Sequence, residues 1–335
     1  LVQGTIEILH MIDLSTSFAG LSLKSPIIVS SSGLTSSVDR LKKVAAAGAG
    51  AVVMKSLFEE QINYEVESMS EGQDYPEAGD YIRTYARENS LAQYLSFIKE
   101  AKEAVDIPVI ASVNCISSNE WIDFAGKIED AGADALELNI YFLPIQKDKD
   151  PREYEQAYLH LVSEVKKKTS LPLIIKLGNG FSNITWMVNQ LYRRGAAAVV
   201  LFNRFYAPDI NTDDLSFGSS EVLSSPAELR NSLRWIGIVS SQVDQLDLAA
   251  STGVHSGMAV VKQILAGATA VQVCSVLYRN GLDYIRDMIT EMKKWMEKNQ
   301  YQSPGDFRGK MNYGSLDDPS VYERAQFMKY FSSMH

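Results

Sequence analysis

Polar residues stand at the ends of apolar runs along this chain, and their types define the chemistry available. The runs close on Ser31-Ser32-Gly33, Lys55-Ser56, Asn114, Asn139, Lys176, Asn203, Ser251-Thr252-Gly253 and Cys274-Ser275. The set holds two lysines, three amides and several hydroxyls, with no histidine. Its nearest acid, Glu137, lies two residues before Asn139 and so on the same face of a strand. Glycosidase chemistry needs paired carboxylates and zinc hydrolysis needs clustered histidine or cysteine, so both are disfavoured. Cations and amides instead suit a ligand with polarised carbonyls, developing negative charge and a phosphate.

Those ends belong to a repeating pattern. Four helical segments finish at Gly48, Gly132, Gly195 and Gly267, each followed by small residues and an apolar run. Another apolar run precedes each unit: Pro26 to Ser30, Pro108 to Val113, Pro172 to Lys176 and Leu246 to Ser251. The near-constant offset of about 25 residues within the pairs is that of a β-α-β crossover. Four such units make eight strands, which predicts an α/β fold, a (β/α)8 TIM barrel over residues 11–335 as a single domain. A doubly wound sheet is the alternative, but no G-x-G-x-x-G follows Pro26 to Ser30. Two excursions, Ser56 to Ser90 and Arg204 to Ser225, follow strands 2 and 6 and are expected to cover the catalytic face. Tyr322 to Phe331 reads as an amphipathic terminal helix, and residues 1–10, before Met11, as a tag or upstream extension.

Composition narrows the class. The net charge of −9 makes nucleic acid an unfavoured partner, and two cysteines, Cys115 and Cys274, exclude a disulfide framework and fit a reduced, cytoplasmic setting. No run of eighteen apolar residues or basic-then-apolar leader is present, so no membrane role is expected; no metal site is expected either. At the strand ends a flavin mononucleotide fits, because reduction places negative charge near N1 and the C2 oxygen, where a buried lysine would stabilise it. Its phosphate is expected at Gly253 and at the helix following His255-Ser256-Gly257, with hydroxyls after strand 8. Plainer readings stand beside these. A lysine closing an apolar run is also the first solvated residue, Asn114 is equally a turn-former, Glu137 reads best as a buried partner for a lysine, and Cys274 as core.

Several segments resemble the dihydroorotate dehydrogenases, the soluble class 1 members in particular. Tyr301-Gln302-Ser303-Pro304-Gly305-Asp306-Phe307-Arg308-Gly309-Lys310 resembles the family's Y-Q-S-x-x-D-F-x-G-K, Lys55-Ser56 its K-S/T pair, Glu137-Leu138-Asn139 its E-L-N, and Lys176-Leu177 its V-K-L segment. The resemblance implies an FMN-dependent oxidoreductase that oxidises dihydroorotate or a related dihydro ring compound, as a homodimer. It implies cofactor contacts from Ser31, Ser32, Lys55, Ser56, Asn114, Asn139, Lys176, Thr252, Gly253, Cys274 and Ser275, and substrate contacts from Lys55, Asn89, Asn139 and Asn203. The chain departs from the family's N-L-S-C-P-N in Asn139-Ile140-Tyr141-Phe142-Leu143-Pro144. Phe142 takes the position of the catalytic base and Pro144 that of a substrate-binding asparagine; Tyr141 and Cys115 are candidate substitutes for the base. Two other readings are a flavin-binding regulatory module without dihydroorotate turnover and a dihydrouridine synthase-like enzyme, the latter disfavoured by the negative charge.

Overall fold

The computed structural model describes residues 12–58, 76–115, 122–205, 207–219 and 221–324. Eight parallel strands close on themselves: β1 (Ile27–Val29), β2 (Ala51–Val53), β3 (Val109–Cys115), β4 (Ala135–Ile140), β5 (Leu173–Leu177), β6 (Ala196–Leu201), β7 (Asp247–Ser251) and β8 (Ala270–Val273). Each pairs with its sequence neighbours, and β8 returns to β1 through Val271 opposite Ile27 and Val273 opposite Val29. The expected (β/α)8 barrel is therefore the fold, and a doubly wound sheet is excluded by this closure.

Helices α1 (Val38–Ala46), α2 (Pro76–Ala104), α3 (Ile122–Asp130), α4 (Pro151–Lys168), α5 (Ile184–Arg193), α6 (Leu229–Gln242) and α7 (Gly257–Ala266) connect successive strands, and α8 (Ser275–Asn280) and α9 (Tyr284–Lys298) follow β8. The glycines that end four of the units, Gly48, Gly132, Gly195 and Gly267, all have φ between 90° and 119°. Such a conformation is readily adopted only without a Cβ, so the chain turns from helix to strand there.

Inside the barrel the side chains change character from bottom to top. Ile28, Ala51, Val53, Ile110, Ala135, Ile174, Ala198, Val200, Ala249 and Ala270 pack as one apolar cluster. The alanines leave room for Phe18 and Leu23, which come from an N-terminal hairpin, Thr16–Phe18 with Leu21–Leu23, that sequence patterning did not single out. Phe18 is fully buried, a contribution of roughly 1.5–3 kcal/mol. Further along most strands the interior turns polar, with Ser112 opposite Glu137, Asn139 opposite Lys176 and Ser251 opposite Gln272.

The excursions are only partly irregular. From Pro76 onward the first is part of α2; residues 59–75 lie outside the described residues. The second carries a hairpin, Pro208–Asn211 with Ser216–Ser219. At the C-terminus a single helical turn, Ser320–Glu323, stands where the longer amphipathic helix is expected, and residues 325–331 lie outside the described residues. Among the described residues no helix is long and apolar enough to cross a membrane.

Candidate active site

Strand alternation aims Glu137 and Lys176 into the barrel, where both are buried. They meet through a third residue. The Lys176 ammonium donates to Gln272 Oε1 at 2.8 Å, and the Gln272 amide donates to Glu137 Oε2. Lys176 Nζ itself lies 3.8 Å from Glu137 Oε1, an oxygen with no hydrogen-bond partner among the described residues. Gln272 also accepts from Ser30 Oγ at 3.3 Å. Glu137 thus takes the lysine-partner role expected of it. Sequence reasoning missed Gln272, although its place in Ala270-Val271-Gln272-Val273 gives the same inward-pointing signal as Glu137.

A second polar set joins the ends of β1 to β4. Ser31 Oγ accepts from the Ser56 backbone at 2.8 Å, and the Ser56 hydroxyl lies 2.9 Å from Ser31 Oγ and 2.7 Å from Ser112 Oγ. Asn139 Nδ2 donates to both Ser56 and Ser112 at 3.3 Å, while its buried Oδ1 has no partner among the described residues. Ser32 caps the short turn Gly33–Thr35. Asn114 is half-buried in register with Asn139, and Lys55 is exposed at the end of β2.

Beside these residues lies a cleft of about 230 Å³ at the ends of β1 and β5 to β8, whose lining includes Lys176, Asn203, Thr252, Gly253, Cys274 and Ser275. Gly253 has φ +78°, and a Cβ there would stand 2.1 Å from the Leu229 backbone nitrogen. Gly253→Ala is therefore expected to destabilise the fold by at least about 1–3 kcal/mol through overlap and left-handed strain, read as a lower urea midpoint. Ser275 Oγ accepts the Ser224 N–H at 2.9 Å and keeps its own proton to donate. Thr252 Oγ1 bonds the Phe202 carbonyl at 3.1 Å. Burial pushes the Cys274 thiol above its usual range, outweighing Ser32 and Lys176, so Cys274 is not an activated nucleophile.

The helix expected to bind an anion is already satisfied. At the start of α7, Glu291 accepts the Gly257 N–H at 2.7 Å and the Met258 N–H at 3.3 Å, and Ser256 caps Ala259 at 3.1 Å. A carboxylate at that tip repels a second anion, which leaves Gly253 and Ser275 as the expected contacts. His255 stays close by, 3.0 Å from Ser224 Oγ, its basicity reduced first by burial and then by Arg279.

Arg204 fastens the second excursion over the cleft. Its Nε donates to Glu228 at 2.9 Å, and its terminal nitrogens donate to the carbonyls of Val222 at 2.8 Å and Glu221 at 2.7 Å. Arg204→Ala is expected to accelerate limited proteolysis between residues 205 and 222 severalfold, since three charge-assisted bonds hold the end of that loop.

The remaining sequence-predicted residues divide. Asn203 lines the cleft, whereas Asn89 is exposed on α2 and is absent from the cleft lining. Phe142 does not face the cleft; its ring meets Tyr158 edge-on at 5.0 Å and its N–H donates to Tyr158 OH at 3.2 Å. Tyr141 stacks on Phe205 at 3.8 Å and is 37% exposed. Cys115 ends β3, and its side chain lies outside the described part of the structure. No group of three metal-ligating side chains forms among the described residues.

The arrangement is a barrel mouth with a buried cation, amide and carboxylate oxygens that lack partners among the described residues, and a backbone cradle. The model of the dihydroorotate dehydrogenase family matches residues 13–296. Among similar proteins, the dihydroorotate dehydrogenase B (NAD(+)) catalytic subunit of Thermoplasma volcanium is 28% identical over 312 residues, covering 87% of this chain and 96% of the relative. That of Thermoplasma acidophilum is 29% identical over 311 residues, covering 89% and 99%. A putative dihydroorotate dehydrogenase A (fumarate) of Aeropyrum pernix is 26% identical over 315 residues, covering 89% and 97%. With residues 13–296 matched by its model, this chain belongs to the dihydroorotate dehydrogenase family.

Proposed function

We propose that this protein is an FMN-dependent oxidoreductase acting on dihydroorotate or a related small dihydro ring compound. The observation that carries the reading is the buried Lys176 at the barrel mouth, beside the Asn139 Oδ1 that has no partner among the described residues and the cleft lined by Gly253. These features fit the cofactor. A Cβ at Gly253 would overlap the neighbouring backbone, and Asn139 Oδ1 is a buried acceptor awaiting a donor such as a ring N–H. Bound FMN supplies a hydride acceptor.

In this reading Lys176 stabilises negative charge at the ring's polarised edge, while Gln272 and Glu137 fix the ammonium's position. Asn139 reads the ring, with Ser31, Ser32, Ser56, Asn114, Thr252 and Cys274 forming the surrounding wall, and Gly253 and Ser275 hold the phosphate. Lys55 and Asn203 contact substrate from opposite sides of the mouth. The protein functions as a cytoplasmic homodimer without nucleic-acid or membrane partners.

Phe142 favours a second reading, a flavin-binding protein without dihydroorotate turnover. Its ring offers no proton acceptor and is packed against Tyr158, so neither residue identity nor orientation supplies the base. Anaerobic mixing of the FMN-loaded protein with dihydroorotate separates the two readings. Bleaching of the flavin band supports the oxidoreductase reading; an unchanged spectrum with dihydroorotate and with related dihydro ring compounds supports the binding protein.

A further inference from the structure

A second cavity of about 240 Å³ lies above the ends of β4, β5 and β6, lined in part by Tyr141, Phe142, Tyr154, Tyr158, Phe181 and Phe205. It adjoins the polar cleft along the chain: Lys176 and Asn203 line the cleft, while Gly178 and Phe205, two residues further on, line this cavity. From it we infer that the protein has a separate binding site for a neutral, planar aryl group carrying a hydrogen-bond-accepting oxygen.

The walls are rings arranged against one another. Tyr141 stacks on Phe205, and Tyr158 meets Phe142 and Phe181 edge-on at 5.0 and 5.2 Å. Phe205 lies so close to Gly178 that a Cβ there would stand 2.5 Å from its ring, which fixes that wall. The space exceeds the roughly 150 Å³ that takes one benzene in an engineered apolar cavity, leaving room for a ring and a small substituent. Aromatic walls favour a planar ring by stacked and edge-on contacts.

One polar atom is unmatched. Tyr154 OH is buried with no hydrogen-bond partner among the described residues. Tyr158, by contrast, spends its oxygen on the Phe142 N–H, and burial pushes its phenol up to about 12. An unmade hydrogen bond is costly, so the Tyr154 hydroxyl calls for an acceptor on the ligand. Charge selects a neutral one. The Lys149 ammonium sits 4.4 Å from the Tyr154 ring centroid, opposing a cation, and the Glu155 carboxylate is part of the lining, opposing an anion. Exposed Asn179 and Gly180 at the rim open the cavity to solvent.

The test is titration of the purified protein with acetophenone by calorimetry, with cyclohexyl methyl ketone and tetramethylammonium as comparison probes. It needs neither flavin nor turnover, so failure here leaves the redox reading intact. Acetophenone is expected to bind saturably at one site per chain, at least fivefold more tightly than the saturated ketone. Tyr154→Phe should weaken it about 3- to 10-fold. Gly180→Leu should abolish it by filling the space, and an added Cβ at Gly180 meets no atom within 4 Å, so the fold should persist. Absence of saturable binding, affinity unchanged in both variants, or preference for tetramethylammonium would overturn the proposal.

Discussion

Lys176→Met is expected to lower folding stability by about 3–5 kcal/mol, and adding Glu137→Gln should restore most of that loss. The single change leaves a fully buried carboxylate without its Lys176 partner, and its Oε1 has no hydrogen bond among the described residues. Gln272 then keeps its donor on Glu137 but loses the ammonium that held its own oxygen. In the double variant no uncompensated charge remains, so the two effects should be strongly non-additive. Urea denaturation of the four proteins gives the coupling directly. A loss under about 1 kcal/mol in Lys176→Met would mean that the Lys176–Gln272–Glu137 pairing contributes little to the fold.

Dihydroorotate should reduce the bound flavin slowly, and Phe142→Cys should raise that rate if the loop can present the thiolate. Loss of a positioned base typically costs ~10²- to 10⁴-fold, and the variant is expected to recover part of that range. The obstacle is geometric. Phe142 is anchored through its ring and its backbone to Tyr158, so a cysteine replacing it would begin on the wrong side of the loop. Phe142→Cys combined with Tyr158→Phe removes the backbone anchor and should recover more than the single variant. Stopped-flow absorbance under anaerobic conditions measures both. Fast reduction by the parent would place the base elsewhere, and Tyr141→Phe and Cys115→Ala would then identify it.

The fold was legible because its signals are local and repeated. Each glycine that ends a helix is required by the backbone at that point, and four such repeats bound the eight strands. Inward alternation likewise located Glu137, Asn139 and Lys176. The N-terminal hairpin was not legible, because what identifies it is the space left by alanines in five distant strands. The same limit applies to Glu291, which reaches α7 from α9 and removes a helix tip that looked ready for a phosphate. The resemblance, and no pattern of spacing, named Asn89 as a substrate contact; α2 carries it exposed, apart from the cleft lining. Such outcomes depend on how distant segments pack, which no local pattern encodes.

Flavin binding is the claim on which the functional reading rests. The decisive measurement is titration of the flavin-free protein with FMN, followed by visible absorbance and fluorescence quenching, in the parent and in Lys176→Met/Glu137→Gln. Binding of about one FMN per chain is predicted for the parent, with affinity roughly 10- to 150-fold weaker in the variant, as loss of a charged hydrogen bond requires. A parent protein that purifies colourless and fails to bind added FMN, or a variant that binds it as tightly as the parent, would contradict the account.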